Sequence, residues 1–324
     1  MSVSHIGLLC SGGDAPGMNC AIRAVVRTAI YNGIEVTGIK RGYAGLLRGE
    51  FQPMNLSSVG NIIQRGGTIL QTSRSPEFMK PEFRKKAVEI LRAQKIDALI
   101  IIGGDGSFNG AMAMWNEHQY PVLGIPGTID NDISGTEYTI GFDTAVQTAI
   151  EAIDRIRDTA HSHGRTFLVE VMGRNSSSIA LKVGVCTGAE NILLPHDKVV
   201  HKKLVDDIQR GMARGKDSSI IIVAEGPVAG RSYDIQNVLK DLYHMDAHVS
   251  ILGHIQRGGS PTADDRFIAS QMGNLAVQAL IEDKFPTVTV VQGGKVLLND
   301  MQNCVTKADH NFTEFQKLAE TLSI

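Results

Sequence analysis

The sequence predicts an α/β protein built on mostly parallel sheets. Hydrophobic runs of strand length alternate with stretches of helical periodicity, the pattern of sheets covered by helices on both faces. Successive runs deliver a polar residue just beyond their last apolar position, where open parallel sheets bind ligands. No low-complexity linker interrupts the 324 residues, so two closely packed halves are expected rather than separate beads.

The first strand, His5 to Cys10, ends at Ser11-Gly12-Gly13-Asp14-Ala15-Pro16-Gly17, and a helix follows from about Met18 to Asn32. On that helix Arg23 and Arg27 share a face. A strand from Glu35 to Ile39 leads to Gly42-Tyr43-Ala44-Gly45 and an irregular stretch to Arg65-Gly66-Gly67-Thr68; Arg74-Ser75-Pro76 marks another loop. Apolar positions recur at helical spacing from Pro81 to Lys95. The run Ala98 to Ile102 then stops at Gly103-Gly104-Asp105-Gly106-Ser107, and the run Val122 to Ile125 ends in Pro126-Gly127-Thr128-Ile129-Asp130-Asn131-Asp132. An amphipathic helix spans Gly141 to Thr159, with Arg155 and Arg157 near its end. In the second half, Thr166 to Val171 ends at Met172-Gly173-Arg174, Ile220 to Ala224 at Glu225-Gly226, and Val249 to Leu252 at Gly253-His254-Ile255-Gln256-Arg257-Gly258-Gly259. An apolar segment from Thr287 to Val291 and a strand-like Lys295 to Leu298 come late in the chain.

Glycines after a buried strand let the backbone approach a bulky anion, and the N–H groups of the following helix face it with the favourable end of the dipole. Carboxylates beside a phosphate repel it unless a divalent cation lies between them or one takes a proton from a nucleophile. Two strand ends carrying both therefore point to phosphoryl transfer.

Composition narrows the remaining classes. Lys and Arg number 32 against 34 Asp and Glu, a formal net charge of −2, so no global basic excess points to nucleic acid. Cys10, Cys20, Cys186 and Cys304 lack metal or redox spacing and are expected to be reduced and mostly packing. The chain enters a strand by His5 without a charged-then-apolar leader, and no apolar run approaches a membrane span. A soluble, cytoplasmic protein is expected.

GGDGS, then PGTIDND, then MGR and GHIQRGGSP, in that order, closely resemble the bacterial ATP-dependent 6-phosphofructokinase family. The resemblance runs in register from Ile6 to about Gly273. It implies an α/β fold of two stacked α/β/α lobes with mostly parallel sheets, in a homotetramer. It also implies a Mg²⁺-dependent enzyme that phosphorylates the 1-hydroxyl of fructose 6-phosphate with ATP, the committed step of glycolysis. Residues 1–140 would form an N-terminal, mainly ATP-binding lobe with a helical return near 258–305; residues 141–257 would form a smaller sugar-phosphate lobe, and 306–324 a C-terminal tail.

By position, Gly12, Arg74, Ser75 and the run Gly104, Asp105, Gly106 and Ser107 match the family's ATP site. Asp130 matches the base that accepts the hydroxyl proton, and Thr128 and Asp132 match its neighbours that position sugar and metal, with Asp105 and Asp132 the Mg²⁺-associated carboxylates. Met172, Gly173, Arg174, Glu225, His254 and Arg257 match the sugar-phosphate pocket, with Arg174 placed to neutralise the phosphoryl group in transfer. Arg165 matches an arginine that reaches the 6-phosphate of the adjoining subunit. Gly106 and Gly127 occupy positions where pyrophosphate-using relatives commonly carry Asp and Lys, which favours ATP as donor and glycine there as leaving space open.

The sequence departs from the pattern in three places: the cross-subunit arginine, the stretch after MGR and the effector site. The second cross-subunit arginine is here His248, and a histidine of pKa ~6.5 is only partly charged at neutral pH; weaker, pH-dependent substrate binding is expected unless His244 or Lys240 substitutes. After the MGR segment the usual glycine-containing stretch reads Asn175-Ser176-Ser177-Ser178. Arg23, Arg27, Arg157, Gly188, Glu190, Arg214 and Lys216 match the intersubunit effector site for ADP or phosphoenolpyruvate, yet Glu50 stands where many members have arginine and Asn61 where an acidic residue is common. Altered regulation is expected.

NAD kinases and lipid kinases share the GGDG turn but not the PGTIDND and GHIQRGG segments. A pyrophosphate-dependent enzyme is disfavoured by Gly106 and Gly127. A non-catalytic, nucleotide-binding regulatory paralogue would not need Asp105, Thr128, Asp130, Asp132 and Arg174 together.

Overall fold

The structure is a computed structural model that describes residues 3–197, 200–305 and 313–322. In chain order its strands and helices are β1 (His5–Ser11), α1 (Met18–Tyr31), β2 (Glu35–Ile39), α2 (Gly42–Arg48), β3 (Phe51–Met54), α3 (Pro81–Ala93), β4 (Ala98–Gly103), α4 (Asp105–His118), β5 (Val122–Pro126) and α5 (Phe142–His163). Then follow β6 (Thr166–Val171), α6 (Ser178–Thr187), β7 (Asn191–Leu193), α7 (His201–Ala213), β8 (Ser219–Ala224), α8 (Arg231–Tyr243) and β9 (His248–Ile251). The chain continues through α9 (Ala263–Ile281), β10 (Thr287–Gln292), β11 (Lys295–Asp300), α10 (Met301–Cys304) and α11 (Thr313–Leu322).

The chain divides into two compact units. The first takes the residues up to Thr144 and resumes at Arg257; the second runs from Ala145 to Gln256 and includes α11. The first unit holds a seven-stranded sheet in the order β11-β10-β5-β4-β1-β2-β3. Its central strands are parallel, and only the outer pairs β10–β11 and β2–β3 are antiparallel. The α/β, mostly parallel architecture expected from the alternating pattern is present. β4, ALIIIG, is buried at every position, which is why it reads as an unbroken apolar run rather than an alternating one. Leu9, Ile39, Leu99, Ile101, Phe108 and Val290 are among the residues of a core cluster on this sheet.

The second unit holds a four-stranded parallel sheet, β7-β8-β6-β9. Leu168, Ile208, Ile221, Val223 and Leu239 form its core together with neighbouring apolar residues. α11 packs on α6, so the segment expected as a tail includes a helix belonging to this unit.

The stretch after Gly42 is not wholly irregular. It contains α2, whose Tyr43, Ala44 and Leu46 are buried, and β3, which pairs antiparallel with β2 at the sheet edge despite carrying Pro53. Gly45 on α2 lies against the Lys40 carbonyl, where a side chain would not fit, a contact that sequence does not show. Cys10, Cys20 and Cys304 are buried free thiols and Cys186 is an exposed one. Burial pushes the Cys10 thiol up to about 12, matching the packing role expected for it. Among the described residues no helix is long and apolar enough to cross a membrane.

Candidate active site

Parallel register brings three strand ends of the first unit level. Ser11 of β1 is opposite Gly103 of β4, and Gly103 is opposite Pro126 of β5. The three turns that follow are therefore neighbours at the carboxyl edge of the sheet, where such folds bind ligands. Gly103 is demanded by close approach, since a Cβ there would lie 2.5 Å from both the Ser107 Oγ and the Ser11 carbonyl oxygen. Gly104 precedes α4, and Asp105, Gly106 and Ser107 form the helix's first turn rather than a loop. Ser107 and Gly104 are held by a backbone bond of 2.9 Å, and the Tyr43 hydroxyl donates to the Ser107 carbonyl at 2.6 Å while its ring stacks on Phe78.

The expected nucleotide-site residues gather here. A Cβ on Gly12 would be 3.5 Å from the Ser107 Oγ, and the Thr72 hydroxyl donates to the Gly12 carbonyl at 2.7 Å, which draws the loop carrying Arg74 and Ser75 onto the first turn. Arg74 itself is exposed. Arg257, expected in the sugar-phosphate pocket, donates from its guanidinium to the Asp14 carbonyl at 3.1 Å and lies against Gly13. Asp105 opens α4, where the helix dipole favours an anion. Partial burial raises its carboxyl above the usual range, against a 2.9 Å bond from the Asn109 amide one turn on.

The segment after β5 is braced along its length. Gly127 N–H donates to Gly103 O at 2.9 Å, Gly127 bridges Ile140, and Thr128 N–H donates to Ile140 O at 3.1 Å. The Thr139 hydroxyl donates to the Thr128 carbonyl at 2.7 Å and lies 3.2 Å from the Asn131 Oδ1. Asp130 N–H donates to the Thr128 hydroxyl at 3.2 Å. Asp130 is buried at 7% exposure, whereas Asp132 is exposed. Asn131, at φ 48°, supplies the left-handed turn that separates the two carboxylates. A Cβ on Gly104 would be 3.7 Å from Thr128, so the β4 and β5 turns are in contact.

The two glycines read as donor markers differ. Nothing lies within 4 Å of a Cβ built on Gly106, but one on Gly127 would be 3.0 Å from both Ile102 and Met18. Open space explains glycine at the first position, and packing explains it at the second.

In the second unit, β6, β8 and β9 bring Met172 to Arg174, Glu225 and the 253–256 turn to one sheet edge. Glu225 accepts from the Arg174 N–H at 3.1 Å, fixing a backbone in which Gly173 has φ 137° and Arg174 φ 49°. Gln256, fully buried, accepts from the Met172 N–H at 2.8 Å and donates to the Ala145 carbonyl at 3.3 Å. His254 is exposed. Ser176, Ser177 and Ser178 are buried; Ser176 N–H bonds Gly173 O at 2.8 Å and the Ser176 hydroxyl accepts from Ser178 N–H, so the serine run folds on itself and leads into α6.

Arg165 and His248 are not brought to that edge. Arg165 precedes β6, and His248 opens β9 opposite Phe167, against whose ring it lies at 5.2 Å. A six-residue strand spans roughly 20 Å, so neither reaches Met172 to Arg174 within one chain.

Part of the expected effector cluster assembles in the second unit. The Arg157 guanidinium donates to Thr187 O at 2.6 Å beside Gly188, and Glu190 accepts from Lys216 at 2.8 Å and from Ile220 N–H at 2.6 Å. A cavity of about 610 Å³ is lined by Glu190, Arg210, Arg214 and Lys216, with Gln316 and Glu320 of α11. Arg23 and Arg27 belong to α1 of the first unit. Glu50 is no bare negative charge: Arg41 bonds it at 2.7 Å and Arg48 lies at 3.8 Å, and the hydrogen bond from Arg41 holds its carboxyl below the usual range. Asn61 is left-handed, at φ 52°.

Asn131, Thr139, Tyr43, Thr72 and Gln256 were not singled out from sequence, although three of them stand inside or beside the quoted segments. An isolated polar residue carries no mark of whether it meets a ligand or a backbone.

A family model described as Phosphofructokinase matches residues 5–280. The chain is 50% identical over 322 residues to the ATP-dependent 6-phosphofructokinase 1 of Thermus thermophilus, covering 99% of this chain and 100% of that one. It superimposes on phosphofructokinase from Saccharomyces cerevisiae with a TM-score of 0.88 and 36% identity, covering 99% of this chain but 48% of the yeast chain, about half its length. A pyrophosphate-dependent phosphofructokinase from Marinobacter aquaeolei shares the fold at a TM-score of 0.85 and 20% identity, over 99% of this chain and 91% of that one. That likeness is one of fold alone, and with a family model matching most of its length this chain belongs to the phosphofructokinase family.

Proposed function

We propose that the chain is an ATP-dependent 6-phosphofructokinase, transferring the γ-phosphoryl group of ATP to the 1-hydroxyl of fructose 6-phosphate. The observation that carries the reading is the level register of the β1, β4 and β5 ends, which sets two glycine-rich turns beside a braced segment holding the buried Asp130. Gly12, Arg74, Ser75 and Gly104 to Ser107 receive the nucleotide on backbone amides and the α4 N-terminus. Asp130 takes the proton of the 1-hydroxyl as that oxygen bonds to phosphorus, and the bond to the β–γ bridging oxygen breaks to release ADP. Thr128 orients this segment.

Mg²⁺ fits the donor set. Among the described residues no cluster of three His, Cys, Asp or Glu could hold a metal by itself, and Mg²⁺ is usually held by one or two carboxylates with substrate phosphates. Asp105 and Asp132 would hold it, and when bound it offsets phosphate charge. Met172, Gly173, Arg174, Glu225, His254 and Arg257 hold the sugar phosphate, with Arg174 offsetting charge on the group in transfer. On this reading the first unit is mainly the nucleotide lobe and the second mainly the sugar-phosphate lobe. Arg165 and His248, remote from the Met172 edge of their own chain, serve a neighbouring subunit in a homotetramer. The cluster of Arg157, Gly188, Glu190, Arg214 and Lys216, with Arg23 and Arg27, takes ADP or phosphoenolpyruvate as effector. The enzyme works in the cytoplasm.

Coupled ADP-release kinetics with MgATP and fructose 6-phosphate test the reading, with pyrophosphate as the donor control. Asp130→Ser is expected to lower kcat by about 10²–10⁴-fold. A wild type that turns over only with pyrophosphate, or an Asp130→Ser variant of unchanged kcat, would overturn it.

A further inference from the structure

The segment 127–141 leaves β5 and is fastened to its own start one residue before it ends. Ile140 accepts from Thr128 N–H and donates to Pro126 O, and Gly141 follows directly. Gly141 N–H in turn donates to Asp265 Oδ1 at 2.7 Å. Asp265 is fully buried on α9, and its other oxygen, Oδ2, accepts from the Thr144 N–H at 2.8 Å and from the Thr144 hydroxyl at 2.5 Å. That hydroxyl also accepts from the Thr262 N–H at 3.1 Å, while the Thr262 hydroxyl accepts from Asp265 N–H at 3.3 Å, capping α9. The loop is closed: α9's cap, α5's first turn and the return end of the segment share one buried carboxylate.

We propose that Asp265, Thr144 and Thr262 form a positioning unit for the reaction, holding Gly141 and through Ile140 the placement of Thr128 and Asp130. The proposal deepens the kinase reading, on which its kinetic arm rests. Three donors converge on Asp265, a number suited to a carboxylate and beyond the single acceptor oxygen of an amide. None of the three residues touches the nucleotide or sugar seats described above. Their effect reaches the reacting atoms through the Ile140–Thr128 bond, so a small displacement at Gly141 becomes a displacement of the base.

Thr144→Val and Thr144→Ser separate positioning from bulk stability. Valine keeps the shape and removes both hydroxyl bonds; serine keeps both bonds. Thr144→Val is expected to lower kcat by about tenfold to a hundredfold, with the KM values for ATP and fructose 6-phosphate little changed and Thr144→Ser close to wild type. Hydrogen exchange at the Thr128 and Ile140 amides, expected to quicken in Thr144→Val while β1 and β4 stay protected, reads the anchor without catalysis. Failure of the kinase reading would therefore leave this arm intact. Should Thr144→Val not fold, Asp265→Asn reads the same two quantities. Unchanged exchange at Thr128 and Ile140, a rise confined to KM, or equal impairment of Thr144→Ser would overturn the proposal.

Discussion

At the scale of single residues, Gly106 and Gly127 show how one residue type answers two demands. A methyl at 106 enters open space in the first turn of α4, and one at 127 enters occupied space between Ile102 and Met18. Gly106→Ala is therefore expected to change stability by no more than about 1 kcal/mol, and Gly127→Ala to lose about 1–3 kcal/mol through overpacking. Urea unfolding of the two variants side by side checks this, and equal effects would refute it. The resemblance reads both glycines as leaving space open for the donor; the packing at Gly127 is hidden from sequence because its partners lie on β4 and α1, far away in the chain. The same limit hid Thr139, whose hydroxyl fastens the Thr128 carbonyl. Aspartates at strand ends were legible because charge at such a place needs a chemical reason. A threonine in a turn does not.

At the scale of elements, Glu170 decides where α8 starts. The residue lies in β6 at 1% exposure, and its carboxylate accepts from Gly230 N–H at 2.6 Å, Ser232 N–H at 2.9 Å and the Ser232 hydroxyl at 2.5 Å. Free N–H groups at a helix start need partners, and here a neighbouring strand supplies them. Glu170→Ala leaves these donors buried without their acceptor and is expected to cost about 3 kcal/mol or more. Denaturant midpoints measure it; a loss near zero would show that α8 is held by packing alone. In the sequence Glu170 interrupts an apolar strand and carries no sign of its partners, which lie some sixty positions later. The unbroken apolar run of β4 and the long periodic α5 were plain, whereas the three-residue β7 and the seven-residue α2, only about two helical turns, were not, since so few residues establish no helical or alternating period.

At the scale of the whole molecule, Asp265 writes a pH dependence into stability. Burial raises its carboxyl to about 6 from the ordinary 3.8, opposed by its bonds from Thr144 and Gly141 and reinforced by the charge of Asp143. A raised folded-state value means that the folded chain holds the proton more tightly than the unfolded one. This contribution is therefore present at low pH and is lost as pH rises through the interval from about 4 to about 6, by on the order of 3 kcal/mol. Glu117 runs the other way: the Arg84 hydrogen bond lowers its carboxyl, so its contribution is lost as pH falls. The stability difference between wild type and Asp265→Asn is expected to shrink by that amount as pH is raised from 4 to 7, and a constant difference would refute the assignment. Strand order carries one more consequence, which concerns synthesis. β5 receives its outer partner from β10, and α1 packs against α9, both of which emerge only after the entire second sheet has been translated. On the ribosome the nascent first sheet must therefore wait with an unpaired edge and an uncovered helix while the later-encoded sheet has all its strands, which makes that interval the one in which a chaperone has most to protect.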